Sequence, residues 1–142
     1  MGEKMKCAAL IVLLAFVGCS SQKEAWREDY IAADERWQVA YRNADARMAY
    51  DATLSFIEHI KKMEQDGRPF EYAKVQTWNY ARLALLADHL GRQEEARHLF
   101  ATAARYAKKA HPEEPDDRIS EIAFRSYLDQ MDTPEKVAWR KK

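Results

Sequence analysis

Between Trp26 and Met131 the apolar residues of this chain recur at alternating steps of three and four, and that rhythm restricts the fold more than any other feature. Residues spaced in this way share one stripe of an α-helix, whereas a half-buried strand alternates in twos. Trp26, Tyr30, Ala33, Trp37 and Ala40 make a first stripe. Ala49, Ala52, Phe56, Ile60 and Met63 make a second, with Asn43 or Asp45 placed to cap it, although one long helix through this point would satisfy the same spacing. The Asp66-Gly67-Arg68-Pro69 segment is a firmer break, because glycine serves left-handed turn positions and proline cannot continue a helix. A third helix is expected from about Phe70 to Leu90, closed by Gly91, and a fourth from about Gln93 to Ala110. A connection that short folds the pair into an antiparallel hairpin. Pro112 and Pro115 end the fourth helix; Asp116 or Asp117 can cap a fifth, whose expected buried stripe is Ile119, Ile122, Ala123, Tyr127 and Met131. Thr133-Pro134-Glu135 then supplies an N-cap, a first-turn proline and an early acid for a short terminal helix. The expected fold class is all-α, built from antiparallel helical hairpins or a small helical bundle.

Ahead of this region the chain has the layout of an export signal. Lys4 and Lys6 give a positive start, the run from Cys7 to Val17 is apolar, and polarity returns with Ser20, Ser21, Gln22 and Lys23. The run falls well short of the roughly 20 apolar residues that a spanning helix needs. Its end, Phe16-Val17-Gly18-Cys19, resembles the lipobox of bacterial lipoproteins, in which a small residue precedes the cysteine that is acylated before cleavage. The resemblance implies a signal peptide over residues 1–18 and a lipidated Cys19 with a short tether over 19–24. A single helical domain then fills 25–142 and ends in a basic tail. Cys19 would be the only cysteine left after cleavage, which excludes an intrachain disulfide and a cysteine metal cluster. Each buried CH₂ of an acyl chain contributes about 0.8 kcal/mol, so two or three chains would hold the domain on a bilayer. In Gram-negative lipoproteins an aspartate after the cysteine retains the protein at the inner membrane. Ser20 stands there, so the resemblance implies the outer membrane.

The third and fourth helices carry a second resemblance. Tyr80, Leu83, Ala84, Ala87, Gly91, Ala96, Phe100 and Ala103 fall at the signature spacing of a tetratricopeptide repeat, a helix-turn-helix unit that stacks into arrays. The physical content of that spacing is packing. Small residues at Ala84, Ala96 and Ala103 let two helices approach, and Leu83 and Phe100 fill the space between them. Repeats of this kind bind partners through the groove lined by each unit's first helix, which by resemblance places Trp78, Arg82, Leu85 and His89 in a partner-binding position. Trp and Arg are the residue types that dominate binding hot spots.

Charge and motif content narrow the function classes. Of 23 basic and 23 acidic residues, Lys4, Lys6 and Glu3 precede Cys19, which leaves 21 against 22 in the cleaved chain. That balance argues against a nucleic-acid binder, which needs a concentrated basic surface to displace phosphate counterions. The histidines, His59, His89, His98 and His111, make no metalloprotease pair, and the single Glu-x-x-His step, Glu95 to His98, lacks the second step of a di-iron bundle. No nucleophile elbow or phosphate loop occurs, so neither a catalytic residue nor a cofactor or metal is expected. Acid pairs such as Glu94-Glu95 and Asp116-Asp117 sit where helix starts favour negative charge. The C-terminal Lys136 to Lys142 stretch reads as a solvated basic tail, with contact to anionic headgroups or the cell wall as the alternative. The sequence therefore favours an envelope lipoprotein acting as a non-catalytic binding or assembly module with a protein partner. An exclusion or immunity lipoprotein, or a small-ligand binder, is the alternative.

Overall fold

The computed structural model of the chain describes residues 25–141, and these are built from helices and turns with no strand among them. The expected signal peptide, Cys19 and the tether all lie outside the described residues. Two units are distinguished, Met1–Asp34 and Glu35–Lys142. In the first, residues 25–34 are helical, the Arg27 guanidinium lies 5.6 Å from the centre of the Trp26 ring, and the Tyr30 phenol is pushed up by burial and by the Asp34 carboxylate.

Five helices follow one another in the order α1 (residues 25–43), α2 (Ala46–Gln65), α3 (Tyr72–His89), α4 (Gln93–Ala110) and α5 (Glu121–Met131). The boundary between the two units falls inside α1. Single 3₁₀ turns lie at Asp116–Ile119 and Ala138–Arg140. The alternative of one long first helix is resolved at residues 44–45, where Asp45 turns to extended backbone and its carboxylate accepts from the Met48 N–H at 2.9 Å. That cap satisfies one of the donors that every helix start leaves open.

Both glycine punctuation marks act as expected. Gly67 (φ 68°) and Gly91 (φ 78°) take left-handed backbone just past α2 and α3. After each, two N–H groups return to the last turn: Gly67 to Glu64 and Arg68 to Met63, Gly91 to Asp88 and Arg92 to Ala87. This paired closure satisfies orphan carbonyls and reverses the chain at once. α4 begins at Gln93, and the α3–α4 hairpin forms the most extensive helix pair.

α3 is the central element, packed against α2, α4 and α5. From Gln76 to Ala87 every residue of α3 is buried except Trp78 and Arg82, which are half-buried. A helix buried on nearly all sides belongs in the middle of an array. Its polar side chains are therefore bonded. The Gln76 amide donates to the Ile57 carbonyl of α2 at 3.1 Å and accepts from Asn79 at 3.4 Å. Across the hairpin Ala84, Ala96 and Ala103 are buried to 2% or less, which permits the close approach, and Leu83 and Phe100 fill the interface. α1 and α2 form a second hairpin: Trp37 stacks on Phe56 at 5.1 Å and donates from Nε1 to Thr53 at 3.0 Å.

Two expectations at the C-terminal end are corrected. The cap of α5 is Ser120, whose hydroxyl accepts from the Ala123 N–H, and not Asp116 or Asp117, which lie in the preceding 3₁₀ turn. The buried stripe of α5 is Phe124 and Leu128; Ile122, Tyr127 and Met131 are 80%, 45% and 46% exposed. At about 100° per residue Ile122 stands roughly 140° round the helix from Tyr127, so the expected residues do not share one face, and Ile119 lies in the preceding 3₁₀ turn, packed against the core. Thr133-Pro134-Glu135 starts a turn and not a helix, and the expected solvated tail is folded in, with Val137 1% and Trp139 6% exposed.

Candidate partner-binding face

α1, α3 and α5 meet on one side of the Glu35–Lys142 unit, and α3 supplies the centre of the meeting. Trp78 and Arg82 are one helical turn apart and project together. Trp78 packs edge-on to Phe124 at 5.9 Å and lies 4.4 Å from the Tyr127 ring, both on α5. Tyr127 and Met131 are again one turn apart, so their half-exposed side chains extend the aromatic surface begun by Trp78.

Arg82 anchors the three elements to one another. Its guanidinium sits 5.6 Å from the Trp37 ring and 5.7 Å from the Tyr41 ring, both on α1. Its Nε donates to Asp132, the residue that ends α5, at 2.9 Å, and Nη2 reaches the second carboxylate oxygen at 3.5 Å. The Tyr41 hydroxyl donates to the same carboxylate at 2.9 Å. With side-chain exposures of 19% for Arg82 and 12% for Asp132, the pair is shielded from water. Burial first, and then the Asp132 charge, push the Tyr41 phenol far above its ordinary range. The phenol therefore remains a hydrogen-bond donor at any physiological pH.

The other two residues singled out on α3 sit lower on the same face. Leu85 is buried at 7% exposure. His89 is exposed, and its ring meets the edge of Trp139 at 5.4 Å. Trp139 also meets Tyr41 edge-on at 5.8 Å, so the C-terminal segment lies over the α1–α3 junction. A cavity of about 320 Å³ remains beside it, bounded by Leu85 and His89 of α3, Arg125 and Asp129 of α5, and Trp139 and Arg140. The structure thus brings all four sequence-derived residues onto one face, half-open at Trp78 and covered at Leu85.

Four contributors to this face were not found from the sequence as site residues: Trp37, Tyr41, Asp132 and Trp139. Trp37 and Tyr41 stand four apart on α1, a spacing that marks one face. Asp132 carries no local signal.

A second concavity lies between α3 and α4, away from Trp78 and Arg82. Its cavity of about 450 Å³ is lined by Tyr80, Thr102, Arg105, Tyr106 and Lys109, with the two tyrosine rings stacked at 5.4 Å. Burial, followed by the neighbouring Tyr80, pushes the Tyr106 phenol up. Among the described residues no group of three or more His, Cys, Asp or Glu side chains is placed to hold a metal ion, and no helix is long and apolar enough to cross a membrane.

No family model matches the chain, and neither a curated protein nor a solved structure matches it.

Proposed function

We propose that the chain is a lipid-anchored envelope lipoprotein whose helical domain is a non-catalytic protein-binding or assembly module. The observation that carries the binding half is the surface of Trp78, Tyr127 and Met131. These are large apolar side chains left half-open beside the most buried helix of the fold, on the face where α1, α3 and α5 converge. Aromatic side chains held by packing lose little freedom on binding and bury a large area, which suits them as anchors. The α3–α4 hairpin, with buried residues at Tyr80, Leu83, Ala84, Ala87, Ala96, Phe100 and Ala103, supports the reading of α1–α2, α3–α4 and α5 as a short repeat stack with tetratricopeptide-like geometry. The lipid half rests on the sequence from Lys4 to Cys19 and places the module at a membrane, by resemblance the outer one.

Affinity capture from envelope extracts tests the binding half. Tyr127→Ala and Trp78→Ala, with helicity and melting unchanged, should lose at least tenfold in the recovery of a specific partner. Ile122→Ala, on the far side of α5, should lose nothing. Equal recovery by all three variants removes the proposed face. A small-ligand reading is favoured by the cleft over Tyr80 and Tyr106, whose Arg105 and Lys109 suit an anionic group. Binding that responds to Arg105→Glu and not to Tyr127→Ala would select it.

A further inference from the structure

We propose that the seat of residues 133–141 is itself a peptide-binding groove, and that this segment is a ligand in cis. A partner segment carrying an aromatic side chain next to a cation would displace it. The proposal rests on the protein-binding reading above and adds the chemistry of what is bound.

The first observation concerns how the segment is held. Its backbone bonds close within itself: Lys136 and Val137 donate to the Thr133 carbonyl, Arg140 to Val137, and Lys141 to Ala138. Among the described residues no backbone–backbone hydrogen bond joins it to a helix. What ties it down is side chains. Val137 and Trp139 are buried, Arg140 donates to the Asp129 carboxylate at 2.9 Å, and the Lys136 ammonium reaches the Met131 carbonyl at 3.4 Å. An element fixed by a few side chains and satisfied in its own backbone lifts as a unit, without unfolding what lies beneath it.

The second observation is the fit of the seat. Trp139 stands edge-on to Tyr41 and His89, and the adjacent Arg140 meets an acid on α5. The groove therefore selects an aromatic ring followed by a positive charge, which is the arrangement its own segment presents.

The third observation is that the fit is incomplete. A cavity of about 320 Å³ stays open between Leu85, His89 and the segment. The Trp139 indole N–H is buried and finds no acceptor among the described residues. Buried donors are ordinarily bonded, and leaving one unmet weakens the complex that contains it. The resident segment is thus held by the burial of Val137 and Trp139 and by the Arg140–Asp129 bond, aided by its tether, which gives it an effective concentration in the millimolar range for a short linker. An untethered segment that fills the cavity and supplies an acceptor competes with it.

The test uses the full chain and a labelled peptide of its own residues 133–142, TPEKVAWRKK, read by fluorescence anisotropy. Trp139→Ala empties the seat, so that variant should bind the peptide at least tenfold more tightly than the wild type. A peptide with alanine in place of its tryptophan should not bind, and adding Asp129→Lys to the Trp139→Ala chain should weaken binding at least fivefold. A Trp139→Ala chain with unchanged circular dichroism that binds no more tightly than the wild type overturns the proposal. Hydrogen exchange on the wild-type chain decides the matter even where Trp139→Ala disturbs the fold. The amides of Val137, Arg140 and Lys141 should exchange at least 100-fold faster than those of Leu83 and Leu86. Equal protection would show that the segment opens only when the domain unfolds, and the proposal falls. Because neither assay involves an envelope partner, peptide binding without partner capture would refute the scaffold reading and leave the groove standing.

Discussion

Asp132→Ala is the perturbation whose effect the structure defines most fully. The Asp132 carboxylate accepts from Tyr41 at 2.9 Å and from Arg82 at 2.9 Å, and joins α1, α3 and the end of α5 through one side chain. Removing it leaves a guanidinium at 19% side-chain exposure without its partner and a buried phenol without its acceptor. Breaking a buried charge pair on one side costs about 3–5 kcal/mol, because the remaining charge stays desolvated. Arg82 retains some solvent and the faces of Trp37 and Tyr41 on which it rests, so the lower part of that range applies. A loss of about 3–4 kcal/mol is expected, equivalent to roughly 10–15 °C in Tm for a domain near 120 residues. The double variant Asp132→Leu with Arg82→Met removes both charges and leaves only the Tyr41 hydroxyl unmet, so it should lose about 1–2 kcal/mol, less than the single variant. Urea melts followed by circular dichroism on the chain from Ser20 onward measure all three proteins. If Asp132→Ala loses under 1 kcal/mol, or no more than the double variant, the pair is solvated in practice and does not clamp the three elements.

Three further outcomes follow from the same structure. Phe100 is 3% exposed, with the Arg125 guanidinium 4.8 Å from its ring centre, so Phe100→Ala should cost about 3–5 kcal/mol; a loss within 0.5 kcal/mol would put it on the surface. Tyr50 is pushed up to about 12 by burial and by its hydrogen bond to Glu95, and Tyr41 is pushed higher still. A phenol whose folded pKa exceeds its unfolded value gives its full stability below about pH 10 and loses it as pH rises through the folded value. Urea midpoints should therefore be flat from pH 7 to 9 and fall between pH 10 and 12, less steeply in Tyr41→Phe; an unchanged slope in that variant would show that Tyr41 does not carry the effect. Cys19→Ser should abolish incorporation of a labelled fatty acid and release the domain from membranes, and equal label in both proteins would sink the lipoprotein reading.

Much of the helical plan was legible because its boundaries are chemical. Gly67 and Gly91 take the left-handed positions that stop α2 and α3, and Gln93–Ala110 is α4 as read from the sequence. α5 was misphased for an identifiable reason. Ile119, Ile122, Ala123, Tyr127 and Met131 match helical steps one by one but spread round the helix, with Ile122 about 140° from Tyr127. Phe124 and Leu128, one turn apart, are the pair that the neighbouring helices cover. The C-terminal segment was hidden by its charge. Val137 and Trp139 are two residues apart in a chain without helical period, flanked by Lys136, Arg140, Lys141 and Lys142, so composition reads as solvated while geometry buries the two apolar members. For the candidate face, Trp78, Arg82, Leu85 and His89 share a helix face by spacing alone. Tyr41 and Asp132 are 91 residues apart, and no local pattern joins them.

The claim that the α3–α5 face receives a protein partner is tested most directly by photo-crosslinking in intact cells. A photoreactive amino acid replaces Tyr127, which is 45% exposed beside Trp78, and in a control replaces Ile122 on the opposite side of α5. The account predicts a discrete adduct with one envelope protein from position 127, absent from position 122 and lost when Cys19→Ser removes the anchor. No adduct from position 127, or the same products from both positions, would contradict it.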